Sequence, residues 1–184
     1  MHACVGDGVP AGSFGSGSEA DAAGTDSASA TIEAARAQDV LAAGLAEAGR
    51  TGKRVFLHSG APWCGWCKRL EEWMARPEVA EILARDFVAV RIDMDEMVGA
   101  KAIAEEYVDG YSPIPWISIL DSDGELVADS FADNGRNIGF PVKDWAIEHL
   151  GVMIREGAPD ISEADLDILL ESIAAVGRGA AQLH

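Results

Sequence analysis

Two cysteines three residues apart, Cys64 and Cys67, stand between a short apolar run, Val55-Phe56-Leu57, and a stretch of helical spacing that reaches Ala75. On a helix such positions share a face, at a separation a disulfide can span. Cys64 falls at the helix amino terminus, where free N–H groups and the helix dipole favour a thiolate. Cys67, one turn further in, is expected to be shielded. That asymmetry makes Cys64 an attacking nucleophile and Cys67 a resolving thiol. A bare Cys-x-x-Cys is weak evidence. Ala61-Pro62-Trp63-Cys64-Gly65-Trp66-Cys67-Lys68 follows a strand, opens a helix and carries tryptophan just before the first cysteine, which makes the signal strong. Structural zinc is the competing reading. It needs four ligands, and the chain has no second cysteine pair and only His58 nearby among His2, His58, His149 and His184. No metal and no bound cofactor are expected.

Around the motif the spacing of apolar residues alternates between helix and strand. Ile32, Ala35, Leu41, Leu45 and Ala48 predict a helix from Thr31 to about Gly49. Pro77 breaks the helix of the motif and starts another carrying Val79, Ile82 and Leu83. Phe87–Ile92 reads as a strand and Met97–Tyr107 as a helix. Trp116–Leu120 and Glu125–Ser130 read as a hairpin through Asp121-Ser122-Asp123-Gly124. A helix is expected near Pro141, and Ser162-Glu163-Ala164-Asp165 reads as a capping box before Leu166, Leu169, Ile173 and Val176. The expected class is α/β, a mixed sheet flanked by helices, with further helices at both ends.

Residues 1–30 differ. Gly, Ala, Ser and Asp supply 21 of the thirty, with no Lys, Arg, Leu or Ile. They cannot bury enough apolar surface to offset ordering, so the expectation is a flexible tail on a single domain spanning 31–184. A chain starting at Ser29 is therefore expected to melt within a few degrees of the full chain, and a collapse in thermal stability would show that the tail packs on the domain. The net charge of −17 argues against nucleic acid and anionic membranes, and no apolar run approaches a spanning helix.

From Lys53 to Phe131 the sequence resembles the thioredoxin superfamily. Val55-Phe56-Leu57 looks like the strand feeding the active site, and Arg91-Ile92-Asp93-Met94-Asp95 like the family's second strand and its acidic exit. Ser112-Pro113-Ile114-Pro115-Trp116 resembles the loop whose proline is cis and faces the disulfide. The Trp-Cys-Gly-Trp-Cys-Lys motif and the break at Pro77-Glu78-Val79 look most like bacterial thioredoxin-like proteins often found in the envelope. The resemblance implies a thioredoxin-like fold and a thiol–disulfide oxidoreductase exchanging with protein substrates through a mixed disulfide. Reduction is the favoured direction, with electrons arriving from an upstream redox protein. It implies catalytic Cys64 and Cys67 and a substrate-binding surface of Trp63, Gly65, Trp66, Ile114 and Pro115. At Ile114 an extended substrate segment would pair strand-fashion.

The pattern also departs from the family. The usual buried acid of the active-site strand maps onto His58, which is either a proton relay to Cys67, titrating near neutrality, or a hydrogen-bonded core histidine. Trp66 stands where the reductase pattern has proline. Asp93 and Asp95 read as a helix-capping exit rather than a cation site. The segment Asn134-Gly135-Arg136-Asn137-Ile138-Gly139 receives no chemical role. Ala3-Cys4 before a Gly/Ser/Asp stretch resembles the start of a mature bacterial lipoprotein, making Cys4 a candidate lipid anchor and the envelope the favoured location over the cytoplasm. A monomer is expected. Two other functions stay open: a thioredoxin-like binding or chaperone module, and a metallochaperone using Cys64, Cys67 and His58.

Overall fold

The computed structural model describes residues 35–108 and 113–181. The expected tail and Cys4 lie outside the described residues. Among the described residues six helices and four strands follow in the order α1 (Ala37–Thr51), β1 (Arg54–Gly60), α2 (Gly65–Met74), α3 (Pro77–Asp86), β2 (Phe87–Asp93), α4 (Ala100–Tyr107), β3 (Ile117–Leu120), β4 (Leu126–Asp129), α5 (Asp144–Gly157) and α6 (Glu163–Ala181). The sheet order is β2-β1-β3-β4. β1 pairs parallel with β2 and antiparallel with β3, and β3 pairs antiparallel with β4. This is the helix-flanked mixed sheet that the sequence predicts.

Because β1 lies between two partners and under helices on both faces, it is buried from Val55 to Gly60. One face carries Val55 and Leu57 with Val90 and Ile92, packed on Leu41 and Ala48 of α1 and Ile103 of α4. The other carries Phe56 with Phe87, Ile117 and Ile119, under Leu70 and Trp73 of α2, Leu150 and Ile154 of α5, and Leu169 and Ile173 of α6. α1 approaches β2 so closely that a Cβ at Gly44 would collide with the Val90 side chain.

Several boundaries differ from those predicted. Among the described residues the first helix begins at Ala37, Ala35 and Arg36 are not helical, and the expected start at Thr31 lies outside the described residues. Arg36 is extended and bridges Val98, with Ala37 N–H donating to Val98 O and Val98 N–H to Ala35 O, both at 3.0 Å. Backbone pairing from a segment 62 residues on thus overrides local helical spacing. α4 starts only after Gly99, which has a left-handed backbone, so Met97 and Val98 are not helical. α5 starts at Asp144, three residues after Pro141. The capping box is half made. Ser162 Oγ accepts from Asp165 N–H at 3.1 Å, but the shorter Asp165 side chain accepts a hydrogen bond from the Ser162 hydroxyl at 2.7 Å.

Candidate active site

β1 ends at Gly60, and the chain turns through Ala61–Trp63 into α2, whose N-cap is Cys64. Cys64 N–H donates to Ala61 O at 3.0 Å, closing that turn. Cys64 and Cys67 form a disulfide with their Cα atoms 5.3 Å apart. Cys64 Sγ accepts a hydrogen bond from the Cys67 N–H at 3.1 Å, so the first sulfur occupies the place of a helix-capping oxygen. Exposure does not separate the two residues as predicted. In the disulfide state Cys64 is 4% exposed and Cys67 1%, both buried with Ala61 against Ile114. Their asymmetry lies in hydrogen bonding at the helix start.

Facing them, the Ile114–Pro115 peptide bond is cis, as the resemblance implies. The Ile114 carbonyl oxygen lies 4.0 Å from Cys64 Sγ. The loop is tied to β1 by Ser59, fully buried, whose Oγ accepts from Trp116 N–H at 2.8 Å while its N–H donates to Trp116 O at 3.0 Å. Sequence reasoning missed Ser59, since nothing local links it to a residue 57 positions away. Trp63 is 70% exposed and Trp66 41%. Trp63 Nε1–H donates to Asp95 Oδ2 at 2.6 Å, which fixes an otherwise free indole. Trp66 stacks on Phe140 at 5.7 Å, with the Arg69 guanidinium 5.3 Å from its ring centroid. Gly65 opens the helix with nothing within 4 Å of where a Cβ would stand. Both indoles are thus exposed on residues adjacent in sequence to the cysteines.

The acidic exit of β2 closes a turn and does not cap a helix as expected, since α4 starts at Ala100 with Gly99 as an N-cap that makes no side-chain capping bond. Asp93 Oδ1 accepts from the N–H groups of Asp95 and Glu96 at 3.0 and 2.9 Å, and Oδ2 pairs with Arg91 at 2.9 Å. Burial pushes its carboxyl up, yet those two N–H groups and Arg91 outweigh burial and hold it below the usual range. Among the described residues no group of three or more His, Cys, Asp or Glu is placed to hold a metal ion. No described helix is long and apolar enough to cross a membrane.

His58 is 4% exposed on β1, in register with Arg91 on β2. Its Nδ1 has no hydrogen-bond partner among the described residues. It lines a pocket of about 420 Å³ with Glu71 and Arg91, which pair with each other at 2.6 Å. Burial lowers its pKa to about 4; nearby Glu71 opposes the shift and Arg91 adds to it. The expectation that His58 titrates near neutrality therefore fails. Desolvation of the imidazolium decides it, and the ring is neutral at pH 7.

A cysteine pair at the start of a helix after a central buried strand, faced by a cis-proline loop, defines a dithiol/disulfide centre on a mixed sheet. Residues 36–122 match the thioredoxin-like family. A protein disulfide-isomerase-like protein of Emiliania huxleyi is 32% identical over 78 residues, covering 41% of this chain and 34% of that protein. The chain thus spans about a third of the length of the curated relative it matches. Among solved structures, a disulphide isomerase from Xylella fastidiosa Temecula1 is 21% identical, covering 77% of this chain and 93% of that one, with a TM-score of 0.49. The C-terminal domain of DsbD from Neisseria meningitidis, in its oxidised form, is 27% identical over 50% of this chain and 79% of its own, with a TM-score of 0.40.

Proposed function

We propose that the chain is a thiol–disulfide oxidoreductase acting on protein disulfides, with Cys64 as nucleophile and Cys67 as resolving thiol. The observation that carries the reading is the hydrogen bond from Cys67 N–H to Cys64 Sγ at the first turn of α2, which in the reduced protein would stabilise a thiolate on Cys64. The Cys64 thiolate attacks one sulfur of a substrate disulfide, and the other leaves as a thiolate that takes up a proton. Cys67, having lost its proton, then attacks Cys64 Sγ and releases the second substrate thiol. Two electrons and two protons pass to the substrate, and the chain ends as the disulfide seen here. A dithiol donor protein, itself oxidised to a disulfide, restores the pair. Ile114, with its carbonyl beside Cys64, offers backbone to an extended substrate, and Trp63 and Trp66 offer apolar contact around it. His58 enters as a neutral packed group rather than a titrating relay.

Wild type is expected to accelerate reduction of insulin by dithiothreitol, and Cys64→Ser to lose essentially all of that acceleration. Brief iodoacetamide treatment of the reduced protein, mapped by mass spectrometry, should label Cys64 ahead of Cys67. Equal labelling, or labelling of Cys67 first, would reverse or remove the assigned roles.

A further inference from the structure

The segment 132–140, which contains the Asn134–Gly139 stretch to which the sequence assigns no chemistry, contacts both halves of the candidate site. Asn137 Nδ2–H donates to Pro113 O at 2.7 Å and to Pro115 O at 3.0 Å, the two carbonyls that flank Ile114. Its Oδ1 accepts from Gly139 N–H at 3.0 Å, so all three contacts agree on one orientation of the amide. Gly139 has φ +56°, a left-handed conformation that suits glycine. Three residues beyond Asn137, the ring of Phe140 stacks on Trp66 of the Cys-Gly-Trp-Cys turn. On the other side, the Arg136 guanidinium sits 4.5 Å from the ring centroid of Trp145 on α5. The backbone of the segment is anchored just past β4, where Ile138 N–H donates to Ser130 O at 2.8 Å, and it closes on itself through Ala132 N–H to Arg136 O at 3.0 Å.

We propose that Asn137 is a positioning residue for substrate, holding the Pro113 and Pro115 carbonyls so that the Ile114 backbone is presented to an extended peptide at a fixed distance from Cys64. The inference rests on the oxidoreductase reading above and extends it to the residue that sets the peptide-docking edge. One carboxamide donates to both flanking carbonyls, and losing the bond to the part-buried Pro115 carbonyl carries a desolvation cost. Because Phe140 belongs to the same segment, the loop also couples the peptide edge to the turn that carries the sulfurs. A small disulfide that reaches Cys64 directly needs none of this edge, whereas a polypeptide pairing along Ile114 does.

The test uses the full chain and two variants, Asn137→Ala and Asn137→Asp. The aspartate keeps the shape and the acceptor toward Gly139 N–H but sets a carboxylate against two carbonyls. Each protein is assayed in dithiothreitol-driven insulin reduction and, after reduction, in reaction with dithiodipyridine. Both variants should lose about tenfold in kcat/KM on insulin, chiefly through a raised KM, the loss expected for one or two hydrogen bonds to the docking edge. Their rates with dithiodipyridine should stay near wild type. An unchanged KM for insulin, or equal losses on the two substrates, would overturn the assignment, the second result marking general loosening of the fold. If Asn137→Ala fails to fold, Asn137→Asp decides alone. A wild type inert toward both substrates would instead sink the oxidoreductase reading, and this inference with it.

Discussion

Replacing Trp73 by alanine should lower the unfolding free energy by about 3–5 kcal/mol, a large share of the ~5–15 kcal/mol of an ordinary domain. Trp73 lies on α2, the helix that carries both cysteines, and is fully buried among Leu70, Leu169 and Ile173. Its Nε1–H donates to Ser172 Oγ of α6 at 2.8 Å, and Ser172 Oγ donates in turn to Leu169 O at 2.9 Å. Alanine would leave a cavity between α2 and α6 that a rigid two-helix seam closes only in part. Trp73→Phe and Ser172→Ala separate volume from hydrogen bonding. The phenylalanine restores much of the volume, and the serine change costs about 1–3 kcal/mol by leaving a buried indole N–H without its acceptor. Urea unfolding of the three variants supplies the measurement. A loss below about 1 kcal/mol for Trp73→Ala would mean that α6 does not pack on the helix of the cysteines as described.

What could be read from the sequence followed the range of the interactions involved. The cysteine helix, its break at Pro77 and the β3–β4 hairpin rest on local signals: an N-cap, a proline at the first helical position, and an Asp121 side chain that accepts from Asp123 and Glu125 N–H. The cis-proline was reachable only through the resemblance. β1 extends past Leu57 through His58, Ser59 and Gly60, residues with no strand-like alternation, because β2 and β3 on either side and the Ser59–Trp116 pairing hold them extended. The extended start at Arg36 likewise depends on Val98. Asn137 and Phe140 were illegible for the same reason. Their partners, Pro113, Pro115 and Trp66, lie 22 or more positions away, and no periodicity announces such a contact. The role of His58 required burial to be known, since the same residue half exposed would titrate near neutrality.

That burial gives His58 a measurable signature in stability against pH. Its pKa is about 4 in the folded chain against 6.5 as the ordinary value, so between those limits the unfolded chain binds the extra proton. The sign follows: wild type is unaffected above pH ~6.5 and loses stability as pH falls toward ~4, by about 3 kcal/mol in all, at about 1.4 kcal/mol per pKa unit. His58→Leu, similar in volume and without a titrating ring, should lack this component. Asp93, held below the usual carboxylate range, destabilises both proteins alike at still lower pH and cancels in the comparison. Urea titrations of wild type and His58→Leu across this window should therefore give curves that converge near neutrality and separate below it. At the acid end the leucine variant should be the more stable of the two. The slope difference should approach one proton. Curves that stay parallel from neutral pH downward would show that the imidazolium is accommodated in the fold, and would restore to His58 the proton chemistry that its burial among Phe56, Glu71 and Arg91 takes away.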